Sequence, residues 1–209
     1  MNPETLKLIV TAFSMKKEIK LLFFTVAAIC ILPVFTVILI TQAGINMVSD
    51  VLASINPITA FVDIHNPADG SVVESISESR IWPTTGYISQ EYGAIDLPYQ
   101  PLHTGIDIAN PTGQVGDPVG AFMKGKVIYA DETSIGFGKH VKIDNGHHIV
   151  SIYGHLDSIA VTEGQEVELG TIIGTMGSTG WSTGPHLHLQ INVFGIPVNP
   201  RIFLEGNPE

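Results

Sequence analysis

The chain has 209 residues, a formal net charge of −10 and 44% hydrophobic content. That length holds one ordinary domain plus a short accessory segment. The acidic balance argues against nucleic-acid binding, and the single cysteine, Cys30, excludes an internal disulfide or a thiolate metal cluster. Charge is also unevenly placed. Residues 1–20 carry four lysines against Glu4 and Glu18, whereas the remainder carries six basic against eighteen acidic residues.

In chain order, residues 1–20 form a basic lead. Residues 21–40 come next with no charged side chain, and Thr25 and Thr36 are their only hydroxyl groups. About twenty apolar residues span the hydrocarbon core of a bilayer as a helix. Pro33 would kink such a helix without excluding it. Lys7, Lys16, Lys17 and Lys20 precede the run, and no Lys or Arg occurs after it before Arg80. The positive-inside rule then predicts a cytoplasmic N-terminus, a transmembrane helix over 21–43 and an extracytoplasmic remainder. A cleaved signal peptide ending near Thr41-Gln42-Ala43 is the alternative, although the apolar run exceeds the usual length of its hydrophobic core. Cys30 lies within the run and is expected to be an apolar helix residue.

Residues 44–62 are apolar with Asn46, Ser49, Asp50 and Asn56-Pro57 interspersed. They suit a continuation of the anchor or an amphipathic helix on the membrane surface. Asn66-Pro67 and Asp69-Gly70 punctuate residues 65–79, so 44–80 is expected to be a juxtamembrane segment and linker. From residue 81 onward, short runs rich in Val, Ile and Tyr alternate with glycine turns, the texture of an all-β domain over 81–209. Residues 119–130 give two strand fragments around Lys124-Gly125. Residues 139–144 and 147–153 flank Asn145-Gly146, which predicts a hairpin with a type I′ turn there. His140, His147 and His148 are expected to face solvent on that hairpin. Residues 161–174 repeat the strand-turn texture.

Three histidine features carry the chemistry. His186 and His188 alternate with Leu187, Leu189, Ile191 and Val193, so a strand would bury the aliphatic face and turn both imidazoles to the other. His103 and Asp107 lie four residues apart across Gly105, where Ile106 and Ile108 favour a strand entered from a loop. Tyr153-Gly154-His155-Leu156 closes the predicted hairpin, with Tyr153 expected in packing. A hydrolytic zinc site needs three N/O ligands, an open position and a proton-handling group nearby. His103, Asp107 and one of His186 and His188 would supply the ligands; the other histidine of that pair, with His155, would supply the acid/base groups. Trp181 suits loop packing or a substrate-contacting wall equally.

These motifs carry a resemblance. Residues 81–200 resemble the lysostaphin/LytM-type zinc endopeptidases that cut peptidoglycan peptides, through His-x-x-x-Asp, Tyr-x-His-Leu, His-Leu-His and the Val-Asn-Pro beyond it. The resemblance implies one Zn2+ bound by His103, Asp107 and His188, with His155 and His186 as catalytic histidines. It implies a mostly β, antiparallel, barrel-like peptidase domain with a groove, and a peptidoglycan peptide as substrate. A glycine bridge and a direct stem-peptide cross-link both fit. A non-catalytic wall-binding or regulatory module on the same scaffold is the competing expectation. A biotinyl- or lipoyl-type carrier is disfavoured, because no lysine occurs after Lys142 to serve as its attachment point. No protein partner is legible.

Overall fold

The computed structural model describes residues 2, 4, 17–95 and 102–208, without the side chains of residues 18, 30 and 33–42. Lys7 and Lys16 thus lie outside the described residues, and only the backbone of Cys30 and of residues 33–42 is described. The chain divides into two units, Met1–Ala43 and Gly44–Glu209. Helix α1, Lys17–Leu52, contains the whole 21–40 segment and continues past it. Among the described residues, no helix is long and apolar enough to cross a membrane.

Within the second unit, the segment expected as a linker is structured. After α1 ends at Leu52, β1 (Ala53–Ile55), β2 (Val62–His65) and β3 (Val72–Ile76) form an antiparallel sheet in the order β1-β2-β3. Leu52, Ala53, Val62, Ile64 and Ile76 are buried in the same apolar core as the rest of the unit. The turn residues seen in the sequence do occur, but as hairpin loops. Asn56 and Asn66 each accept hydrogen bonds from the backbone N–H two residues on, Ile58 and Ala68. Such local bonding shapes a tight turn as readily as a flexible linker, and apolar side chains spaced across short strands decide between them.

The larger sheet holds ten strands, all antiparallel. Its main path runs β10 (Glu166–Val167), β7 (Gly125–Glu132), β8 (Lys139–Gly146), β9 (Ile149–Ile159), β12 (Leu187–Val193), β5 (Ile106–Ala109) and β4 (Tyr87–Gln90). β11 (Ile172–Met176) pairs β6 (Pro118–Gly120) and β9, and β13 (Ile196–Val198) pairs β12. β12 lies between β9 and β5, so both its edges are paired. Leu187, Leu189, Ile191 and Val193 are fully buried on one face, as expected, while His188 and Gln190 are buried on the other. Each of the four aliphatic side chains contributes about 1.5–3 kcal/mol by leaving water, which fixes the strand's register and therefore which way His188 points. Tyr153 packs in the core, fully buried, with its hydroxyl accepting from the Phe122 N–H at 2.9 Å.

The β8–β9 hairpin forms, but its turn lies two residues beyond the expected one. Gly146 pairs with Ile149, leaving His147 and His148 as the loop, at φ 53° and 63°. Asn145 is withdrawn into the core instead. Its amide donates to the Met123 and Lys124 carbonyls, and it accepts from Ser151 Oγ at 2.8 Å. The left-handed histidines are held by tertiary contacts. His147 reaches Glu74 and Glu78 at 2.6 and 3.0 Å, and His148 stacks on Phe194 at 4.2 Å between ring centroids. His140 does not face solvent: it is buried, stacked on Tyr129 at 4.4 Å, with its Nδ1–H donating to the Gly138 carbonyl.

Asn145→Ala takes the amide donor from the buried Met123 carbonyl and the acceptor from the Ser151 hydroxyl. It is expected to destabilise the fold by about 1–3 kcal/mol in denaturant unfolding, whereas an exposed turn asparagine would cost a few tenths.

Candidate metal centre

The site is built where β5, β9 and β12 lie side by side. Asp107 on β5 and His188 on β12 are direct cross-strand partners. On its other side His188 pairs with Gly154 of β9, next to His155. His103 enters from the loop before β5, its backbone held by Ala94 and Gly93. Sheet register thus brings together residues 81 positions apart in sequence.

Three donor atoms converge. His103 Nε2 lies 2.9 Å from Asp107 Oδ1, His188 Nδ1 lies 2.8 Å from the same oxygen, and the two ring nitrogens are 3.0 Å apart. All three residues are at least nine-tenths buried. Among the described residues this is the one such group of three. The protons do not satisfy it. His103 Nδ1 lies 3.0 Å from the Glu91 carbonyl, which can only accept, so Nδ1 carries the hydrogen and the neutral ring turns a lone pair toward a carboxylate oxygen. Burial by itself would raise the Asp107 pKa, but the His103 and His188 rings against it, when protonated, hold it well below the usual carboxylate range. Positive charge at this point acts in the same sense, whether it is a ring proton or a cation. Two imidazoles and one carboxylate are a donor set of catalytic zinc sites.

Close packing leaves no slack around the ligands. A Cβ on Gly105 would fall 2.4 Å from the Leu189 carbonyl oxygen and 2.8 Å from His188 Nε2, so only glycine lets this loop lie against β12. That Nε2 is buried without a hydrogen-bond partner. Phe137 lies against the His188 ring at 5.4 Å between centroids and closes that side to water.

The remaining two histidines flank the group. His155 and His186 have ring centroids 4.7 Å apart, and His155 lies 5.9 Å from His188. Each has one nitrogen fixed by a backbone carbonyl at 2.8 Å: Thr179 for His155, Gly184 for His186. In each ring Nδ1 therefore carries the hydrogen and Nε2 is left as acceptor. His186 Nε2 is 3.5 Å from Asp107 Oδ2, the oxygen that the other two histidines do not use. All five residues singled out in the sequence are thus in one cluster. His186 sits just ahead of β12, in a single bridge to Gly177, and not on the strand itself.

His155 owes its direction to an irregularity. Opposite β8, Tyr153 pairs with Val141 and Leu156 with Lys139, so Gly154 and His155 together face one residue, His140. Such a bulge re-aims a side chain. Here it holds His155 at φ 61°, a conformation costing about 1–3 kcal/mol for a non-glycine residue. Bonds to neighbouring loops offset this: its N–H donates to the Phe137 carbonyl at 2.7 Å, and its ring to Thr179. Those two loops pack on each other so closely that a Cβ on Gly180 would lie 2.3 Å from the Gly138 nitrogen. The carbonyls of Glu91, Thr179 and Gly184, which set three tautomers, left no mark in the sequence, because any residue type supplies one. Trp181 is mostly exposed on the same loop wall.

Comparison with known proteins places these residues in context. Residues 101–200 match the family model described as Peptidase family M23. The chain is 37% identical over 139 residues to the murein hydrolase activator NlpD of Salmonella dublin, across 66% of this chain and 34% of that protein. It is 42% identical over 108 residues to the DD-carboxypeptidase/endopeptidase Mpg of Neisseria meningitidis serogroup B, across 52% of this chain and 24% of that protein. Against these relatives it thus spans only about a third and a quarter of their length. Among solved structures it is similar to the catalytic domain of the antimicrobial peptidase lysostaphin from Staphylococcus simulans, with 32% identity, 56% of this chain and 91% of that chain covered, and a TM-score of 0.51.

Burial, then the neighbouring His186, pulls the His155 pKa down to about 4 from 6.5. A depressed histidine pKa means that the unfolded chain binds the proton more readily. Stability should therefore fall as pH drops from about 6.5 to about 4, by up to about 3 kcal/mol. Chemical unfolding of metal-stripped protein across this range should show that loss, and His155→Gln should reduce it.

Proposed function

The chain belongs to peptidase family M23, and from that premise we propose that it is a membrane-anchored zinc metalloendopeptidase hydrolysing peptide bonds in peptidoglycan cross-links or bridges. The observation that carries this reading is the convergence of His103 Nε2, Asp107 Oδ1 and His188 Nδ1 beside two further histidines in fixed tautomers. Zinc held by those three atoms would supply Lewis acidity toward a scissile carbonyl and lower the pKa of a coordinated water.

The protein's own groups would do the rest. His155, neutral at neutral pH because burial disfavours its charged form, presents Nε2 as a proton acceptor. His186, once protonated, is stabilised by Asp107 Oδ2 and can return a proton to the departing amine. The Thr179 and Gly184 carbonyls keep both rings from turning, so no reorganisation is needed as charge develops. Phe137 and the joined loops exclude water from the ligand side.

The anchor belongs to the same proposal. It rests on the apolar run 21–40 with its lysine-rich lead, which puts the N-terminus in the cytoplasm and the peptidase domain outside. Peptidoglycan would be the partner reached across that membrane. A second reading draws on the similarity to NlpD, described as a murein hydrolase activator: a wall-binding or regulatory module with no turnover of its own. Complete ligand and proton-transfer sets favour the enzyme.

Incubating purified peptidoglycan with the zinc-loaded protein should release new amine termini, and a chelator should stop the release. His155→Ala should keep zinc and lose cleavage by about 100-fold or more, whereas His188→Ala should lose both. Equal, negligible release by wild type and both variants would support the module reading instead.

A further inference from the structure

The Val198-Asn199-Pro200 segment after the last histidine motif has no part in the chemistry above, and its position in the fold suggests another task. Asn199 caps a short 3-10 turn, Pro200–Ile202, by accepting from the Arg201 N–H at 3.0 Å. That cap aims the Arg201 guanidinium at Glu91: Nη2 lies 2.7 Å from Oε1 and Nε 3.4 Å from Oε2. Arg201 is further held by the Gly206 carbonyl and Asn207 Oδ1, and lies over the Trp82 ring at 5.5 Å. At the far end, the Asn199 N–H donates to the buried Ser49 Oγ in the last turns of α1 at 2.8 Å.

Glu91 is the residue whose carbonyl holds His103 Nδ1. β4 ends at Gln90, which still pairs with Asp107, so Glu91 is the first residue that the sheet ladder does not hold. Its carbonyl direction is set by the turn, where it also accepts from the Ala94 N–H at 3.2 Å, and by its side chain on Arg201. The ion pair is partly exposed, and such pairs add little to global stability. Its leverage is over orientation: an outer partner that fixes a ligand's tautomer and direction governs metal affinity.

We propose that Glu91 and Arg201 are positioning residues for the metal ligand His103: the ion pair fixes the Glu91 carbonyl, which fixes the ring with Nε2 turned toward Asp107 and His188. The proposal rests on the zinc reading of the site and gives the Val-Asn-Pro-Arg segment a function in it. Through Asn199 and Ser49 the same chain of contacts ties the end of α1 to the metal ligand.

The test is zinc affinity of the full chain, measured by competition with a chromophoric chelator, with His103 Nδ1–H followed by nitrogen-15 NMR in the metal-free protein. Glu91→Gln and Arg201→Gln should each weaken zinc binding about 10-fold and broaden the Nδ1–H signal, with the metal-free melting temperature unchanged. The exchanged pair, Glu91→Arg with Arg201→Glu, should recover most of the affinity. If Arg201→Gln unfolds the C-terminal segment, Glu91→Gln decides alone, since the described bonds of the Glu91 side chain are those to Arg201. Wild-type affinity in Glu91→Gln overturns the proposal while leaving the zinc reading intact. A wild-type protein that binds no zinc overturns both.

Discussion

Three polar atoms within 3.0 Å of one another, buried and short of protons to share, are the constraint on which the rest of this structure depends. A carboxylate oxygen facing two imidazole nitrogens, one of them presenting a lone pair, is stabilised by positive charge lying among them. The fold does not relieve that tension by distance. Strand β12 is fixed by the burial of Leu187, Leu189, Ile191 and Val193, and its register sets His188 opposite Asp107. The hydrophobic effect, itself without direction, is converted by strand alternation into an angular constraint on the ligands.

Around this centre, the main-chain carbonyls act as the second tier. Glu91, Thr179 and Gly184 each accept one ring N–H and thereby decide which nitrogen of His103, His155 and His186 is free. The most strained element in the site, the left-handed His155 in its bulge, sits where proton transfer is proposed. Strain of this kind persists only where neighbours over-determine it. The packed Gly138 and Gly180 loops, with Phe137 and Thr179, supply that support.

Much of this was legible in the sequence, for identifiable reasons. Period-two alternation from Leu187 to Val193 exposed both the strand and the histidine face, because a side chain's face follows from position alone. The convergence of His103, Asp107, His155, His186 and His188 was legible through residue types with few uses besides ligation and proton transfer. The different settings of His186 and His188 were not separable by spacing, since His186 lies just ahead of β12 in an isolated bridge to Gly177. Asn145-Gly146 misled because the asparagine side chain had a stronger use, bonding the Met123 and Lys124 carbonyls, than shaping a turn. Residues 53–80 misled because Asn-Pro and Asp-Gly mark a hairpin loop and a linker alike. The burial of Val62, Ile64 and Ile76 depends on surfaces far away in the chain.

The central claim is that His103, Asp107 and His188 together bind one metal ion. Zinc K-edge X-ray absorption of the loaded protein tests it most directly. The account predicts one zinc per chain with a first shell of nitrogen and oxygen only, two imidazoles giving the outer-shell scattering, and no bound zinc in His188→Ala. A spectrum unchanged by His188→Ala, or one without imidazole scattering, would contradict it.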